Sequence, residues 1–183
     1  MKQALVDKRE PRARTDGLLS VSLYLDVADV QDGQADGIVA AVGIANDGEQ
    51  ELSVLNPYEM IQFLLVNEAG FPLQLPRKAP SLLVVSSGRG WKLDSPFPIN
   101  GFFKNGQAAD MADLDNQVLR FGAHDIYEAR FVINRFLDAG QEIMLPDGAY
   151  RIRCIATLIN ADDRQESRIL ESPDIQVRFT RSQ

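Results

Sequence analysis

Residues 145–159, "LPDGAYRIRCIATLI", join a turn signal to a period-2 run, and their reading decides the fold. Pro146-Asp147-Gly148 supplies a preset φ, a local side-chain acceptor and a residue free to turn. From Tyr150 onward, Ile152, Cys154 and Ala156 fall on one side of an extended chain, and Arg151, Arg153 and Ile155 on the other. Two arginines in the second row assign the first row to a core. The strand predicted here has one face inside and one outside. Cys154 reads as a buried, inert thiol.

The same patterning runs outward in both directions. "LSVSLYLDV" sets Val21, Leu23, Leu25 and Val27 against Ser22, Tyr24 and Asp26. "IVAAVGIA" is apolar on both faces but small on one, with Val39, Ala41, Gly43 and Ala45, as suits a central strand closely covered. In residues 42–75 the connectors Asn46-Asp47-Gly48-Glu49 and Asn67-Glu68-Ala69-Gly70 both read as hairpin turns. "SLLVVSS", "VLRF", "IYEARFVINRF", "SRIL" and "DIQVRFT" add further short strands, about nine to eleven in all. No long amphipathic helix competes with them. The one helical stretch is "GQAADMADLDNQVLRF", where Asp110 is placed to cap a single turn. The fold class predicted is all-β: an antiparallel β-sandwich with one long irregular insertion, residues 87–117. The domain plan is an N-terminal arm, 1–17, and a single sandwich, 18–183.

Composition bounds the function. The 183 residues are 45% hydrophobic and 25% charged, with a net charge of −7. That balance is the ordinary globular one and opposes nucleic-acid binding, which needs a basic face. The exception is the start of the chain, where Lys2, Lys8, Arg9, Arg12 and Arg14 outnumber the acids and read as a solvated arm. "MKQALVDKREPRARTDG" lacks the apolar core of a signal peptide, and no run reaches the roughly 18 apolar residues of a membrane helix. The expectation is a cytoplasmic protein that neither crosses a membrane nor binds nucleic acid; a domain cut from a longer secreted or phage-like assembly is the other reading.

"LPDGAYRIR" resembles the tyrosine corner of immunoglobulin-like domains, in which a tyrosine fills a corner and its hydroxyl bonds the backbone just upstream. The cysteine–tryptophan–cysteine signature of true immunoglobulin domains is absent, so the resemblance implies the sandwich alone. Residues 38–75, with the Asn-Asp-Gly turn and "MIQFLLVNEAGFPL", are similar to the bacterial intracellular proteinase inhibitor family, a cytoplasmic Ig-like fold. That resemblance implies Ig-like architecture and, as an alternative function, a loop that blocks a protease.

Few residues offer chemistry. His124 beside Asp125 could serve a Ser-His-Asp hydrolase, but no serine occupies a nucleophile-elbow context. One histidine and one cysteine do not make a nitrogen–sulfur zinc site. Two acid-rich stretches read as loops with oxygen ligands for calcium: Asp26, Asp29, Asp32 and Asp36, then Asn105, Asp110, Asp113 and Asp115. Neither has EF-hand spacing. No cofactor and no catalytic residue is assigned. Trp91, Phe97, Phe102 and Phe103 crowd the turn-rich 87–117 region, where they either pack onto the end of the sandwich or await a partner. They are the candidate partner-binding residues. The function expected is a non-enzymatic protein-binding or assembly module, with a proteinase-inhibitor-like protein or a calcium- or carbohydrate-binding sandwich as alternatives.

Overall fold

The computed structural model describes residues 17–32, 35–73, 97, 99–138 and 141–179. Over them period-2 patterning becomes thirteen strands, every pairing antiparallel. In chain order these are β1 (Val21–Asp32), β2 (Ala35–Asn46), β3 (Leu52–Leu55), β4 (Gln62–Asn67), β5 (Ile99–Lys104), β6 (Gln107–Ala108) and β7 (Val118–Phe121). Then come β8 (Ile126–Val132), β9 (Arg135–Asp138), β10 (Gln141–Met144), β11 (Gly148–Ile159), β12 (Ser167–Glu171) and β13 (Ile175–Phe179). "SLLVVSS" and Trp91 lie outside the described residues.

The first sheet has the order β1-β2-β8-β5-β6. The second is built on β11, which pairs with β4 along one edge and with β12 and then β13 along the other. A bridge between Val54 and Asn160, and a bond from Ala161 N–H to Ser53 O, carry β3 alongside the end of β11; β7 lies outside β3. β9 and β10 form a separate hairpin. Between the two sheets lies one apolar core. Val42, Ile44, Ala129, Phe131 and Phe102 fill it from the first sheet; Val54, Leu65, Phe121, Ile152, Cys154, Ala156 and Leu158 fill it from the second. Phe63 of β4 meets Phe131 of β8 edge-on, with ring centroids 5.1 Å apart. The sandwich is closed by such contacts. Burying each large side chain stabilises it by about 1.5–3 kcal/mol.

Two expectations are corrected by the topology. Asn46-Asp47-Gly48-Glu49 is not a hairpin turn: β2 belongs to the first sheet, whereas β3 pairs with β7 and bridges to the end of β11, so the chain crosses between layers there. Asn46 explains the crossing. It is fully buried, and its side chain is saturated: Oδ1 accepts from Ser20 Oγ and Gly48 N–H, while Nδ2 donates to Gln50 O and Gly122 O. Those bonds turn the chain out of the sheet and compensate the burial of an amide. The Asn67–Gly70 connector does close a hairpin, with Leu73 N–H on Leu65 O at 2.8 Å.

The second correction concerns residues 87–117, which are regular from Ile99 onward. Asn105-Gly106 is a two-residue turn with φ of 51° and 77°. Both residues occupy the left-handed region that a tight antiparallel hairpin demands, and Asn-Gly is the pair that tolerates it best. β5 therefore becomes an interior strand of the first sheet. The expected cap is present: Asp110 Oδ1 accepts from Ala112 N–H, 2.9 Å, at the head of a 3-10 turn, Met111–Asp115.

Gly43 on β2 is covered in an unexpected way. A Cβ on Gly43 would stand 1.8 Å from the Tyr24 ring, which lies flat across β2 from the neighbouring strand. Tyr24 Oη reaches Glu128 on β8 at 2.9 Å. The cover comes from the same sheet, not from the second layer.

One end of the sandwich is pinned by Asp125. Its carboxylate accepts from Asn105 Nδ2 (2.8 Å), Gly122 N–H (2.8 Å) and Lys104 Nζ (2.9 Å), while its carbonyl accepts from Asn46 N–H. Three segments meet on this one residue. These donors hold its pKa down at about 2, the Asn105 bond first among them. A depressed carboxylate stabilises the fold fully above its ordinary pKa, and this contribution is lost as pH falls through the folded value. The urea midpoint should therefore drop between about pH 4 and pH 2, and Asp125→Asn should flatten that drop while lowering stability at pH 7. Parallel profiles for the two proteins would contradict the pin.

At the opposite turn the tyrosine corner is formed. Tyr150 is buried against Phe179, ring centroids 4.9 Å apart, and its Oη donates to Pro146 O at 3.0 Å. Tyr150→Phe should cost about 0.5–1.5 kcal/mol in a urea melt, the net value of one such bond; an unchanged midpoint would show that the bond does nothing.

Candidate functional site

The aromatic candidates do not form one surface. Phe97 and Phe102 are each 2% exposed. Phe97 packs edge-on against Phe63, and Phe102 against Tyr58, with Tyr127 stacked on its other side. Both take the inward-packing alternative. Phe103 follows Phe102 in β5 and so points to the opposite face, where the Arg130 guanidinium stands 4.0 Å above its ring centroid. Arg130 also pairs with Glu128, which in turn accepts from Tyr24, so Phe103 ends a ladder of side chains across the outer face of the first sheet. Burial and the Glu128 bond push the Tyr24 hydroxyl up to about 12. Trp91 lies outside the described residues.

Tyr58 is the aromatic that the sequence reading passed over. It sits in a 3-10 turn, Pro57–Met60, capped by Asn56, whose Oδ1 accepts from Tyr58 N–H and whose Nδ2 donates to Leu114 O at 2.6 Å. Tyr58 Oη donates to Tyr127 O at 2.6 Å, a buried bond from this turn to β8 of the first sheet. Burial raises its pKa well above the ordinary phenol value.

The groups with chemical potential are occupied elsewhere. His124 is exposed, at φ 59°, and its Nε2 lies 3.2 Å from Glu49. Asp125 faces Lys104 and Asn105, so the two neighbours in sequence make no dyad. Cys154 is fully buried, its thiol pushed up to about 12 by desolvation. The first acid-rich stretch is not a loop: Asp26, Asp29, Asp32 and Asp36 lie on β1 and β2, and the Asp26 carboxylate accepts from Val27 N–H. In the second stretch Asn105 bonds Asp125, Asp110 caps its turn, and Asp113 accepts from Asn116 Nδ2, while Asp115 closes the 3-10 turn. Among the described residues no group of three or more metal-ligating side chains occurs.

The surface that stands out is the outer face of the second sheet. On β11 the inward row is fully buried from Ile152 to Leu158, while Ile155, Thr157 and Ile159 look outward, half-buried. Ile169 pairs with Thr157 and is 66% exposed, diagonal to both isoleucines. Leu64, opposite Arg153 on β4, is 37% exposed. An apolar strip thus runs along β11 where a solvated face is ordinarily polar. The signal was present in the sequence: in "CIATLI" the row opposite Cys154, Ala156 and Leu158 carries two isoleucines beside Thr157.

Arginines lie at either end of the strip. Arg151 and Arg178 stand at the β13 end, each outward by alternation. Arg153 beside them is tied to Asp174 (2.8 Å) and Glu171 (3.0 Å). At the far end is exposed Arg120 of β7, opposite Ser53.

No family model matches this chain, and no curated protein matches it. Among solved structures it is similar to the CooA pilin subunit of enterotoxigenic Escherichia coli, with 10% identity and a TM-score of 0.35. The match covers 88% of this chain and 99% of that one. The likeness is too distant to carry an argument about function.

Alternation separates the two phenylalanines of β5 experimentally. Phe102→Ala should cost about 3–5 kcal/mol in a denaturant melt, as deletion of a core ring does. Phe103→Ala, which removes only the ring beneath Arg130, should cost about 1 kcal/mol or less. Equal losses would overturn the placement of β5.

Proposed function

We propose that this chain is a non-enzymatic protein-binding or assembly module, and that it engages its partner through the outer face of the β11 sheet. The observation that supports the reading is the strip of exposed Leu64 and Ile169 with half-buried Ile155 and Ile159 between them. The core is filled from the other side of the strand: the inward row of β11 is buried from Ile152 to Leu158. Apolar side chains held rigidly in a sheet and left in water are the usual anchors of a protein interface. The finer assignment of the sandwich as Ig-like rests on the Tyr150 corner and stands as part of the same proposal.

A second reading, protease inhibition by a loop, draws on Phe71. It is 68% exposed just past the Asn67–Gly70 turn, with its N–H fixed to Asn67 Oδ1 at 2.9 Å. The sheet face is preferred because it offers several adjoining apolar groups where the hairpin offers one.

Photo-cross-linking distinguishes the surfaces. A photoreactive residue at Ile169 should give a discrete adduct with a native partner, and one at Tyr24, on the outer face of the first sheet, should not. Adducts from position 71 alone would favour the hairpin, and equal labelling from all three positions would contradict a defined face.

A further inference from the structure

β1 is an edge strand of the first sheet: among the described residues it pairs with β2 on one side and with no strand on the other. Its backbone groups divide by side. Asp47 N–H donates to Ser20 O at 2.7 Å, so Ser22, Tyr24 and Asp26, at alternate positions onward, are the residues bonded to β2. Asn46, opposite Val21, sends its N–H the other way, to Asp125 O, as the same alternation requires. The N–H and C=O groups of Val21, Leu23, Leu25 and Val27 therefore point to the free edge. Two of them are already taken. Arg168 Nη1, reaching over from β12, donates to Val21 O at 3.1 Å. Val27 N–H is spent on the carboxylate of the preceding residue, Asp26 Oδ1, at 2.9 Å. Leu23 and Leu25 lie between these two points.

An unpaired strand edge is a template for another strand. The same edge of a second copy matches it in a particular way. Laid antiparallel about Tyr24, two copies of β1 set Leu23 of each opposite Leu25 of the other, with donors facing acceptors. The next pair on either side is Val21 with Val27. Continuing the ladder needs Val27 N–H of one copy on Val21 O of the other, and those are the two groups already taken. They are not equally closed. A carbonyl keeps a second lone pair beside Arg168, whereas an N–H has a single hydrogen to give. Asp26 is therefore the stricter stop. We propose that Asp26 guards the free edge of β1, keeping a second copy from extending the first sheet through its own β1. The inference is independent of the β11 face. It gives the Asp26 carboxylate a task on the strand where it lies, in place of the calcium ligand that its acid-rich stretch suggested.

Sedimentation velocity of the full chain over a range of concentrations tests the guard. Asp26→Ala should tighten self-association by at least about tenfold over the parent protein, because each copy regains its Val27 N–H for the ladder. Asp26→Asn keeps an acceptor beside Val27 N–H while removing the charge, so it should behave as the parent does. Hydrogen exchange then locates the contact. In Asp26→Ala the amides of Leu23, Leu25 and Val27 should gain protection together as concentration rises. Self-association of Asp26→Ala no tighter than the parent's overturns the proposal. Asp26→Asn associating as tightly as Asp26→Ala also overturns it, since charge and not the bond to Val27 would then keep the copies apart. So does tighter association without protection at Leu23 and Leu25, which would place the contact away from this edge.

Discussion

A β-strand sends successive side chains to opposite faces, and in this protein β11 obeys that rule for twelve residues. Everything in the second sheet is placed by it. β4 reads its register from Tyr150 to Ile155, β13 from Gly148 to Ile152, and β12 from Ile155 to Ile159. A slip of one residue would drive Arg151 and Arg153 into the core and expose Ile152 and Cys154. Ser172 shows how the register survives the break between β12 and β13. Its N–H bonds Cys154 O and its Oγ accepts from Cys154 N–H, both at 2.9 Å, so the central strand stays hydrogen-bonded where its partner bends away.

The two sheets are held at their ends by hydrogen-bonded polar side chains, of which Asn46 and Asn56 are buried. Asn46, Asn56 and Asp125 each join segments distant in sequence, and each has its hydrogen-bonding capacity met. Such groups add less net stability than apolar burial, but they fix where the chain turns, because any other arrangement would leave the amide of Asn46 or Asn56 unpaired inside the protein. Tyr58 plays the same part for its own turn, its hydroxyl lying on the carbonyl of Tyr127 in β8.

What the sequence revealed follows from this division. Alternation is local, so the strands 21–27, 38–45 and 148–159, the corner at Tyr150 and the cap at Asp110 were all legible. Sheet membership is not local. Asn46-Asp47-Gly48 has the chemistry of a hairpin turn, and only the burial of Asn46 among Ser20, Gln50 and Gly122 shows that the chain changes layers. Asn105-Gly106 was a legible hairpin signal obscured by the aromatic and glycine-rich residues around it. The acids at 26–36 looked like a ligand loop because aspartate is common in turns, although strand β1 runs on to Asp32. The site was the least legible feature. Large rings drew attention to Phe97 and Phe102, whose size serves the core, whereas Ile169 looks ordinary until its pairing with Thr157 places it in solvent.

The central claim is that β11 and its neighbours divide their labour by face: the inner row stabilises the fold and the outer row does not. Urea denaturation of two variants tests this directly. Ile152→Ala, on the inner row, should lose about 2–5 kcal/mol. Ile169→Thr keeps a β-branched side chain on the outer row and should stay within about 0.5 kcal/mol of the parent protein. A loss at Ile169 as large as that at Ile152 would mean that the exposed strip is part of the protein's own core, and the account of its surface would be wrong.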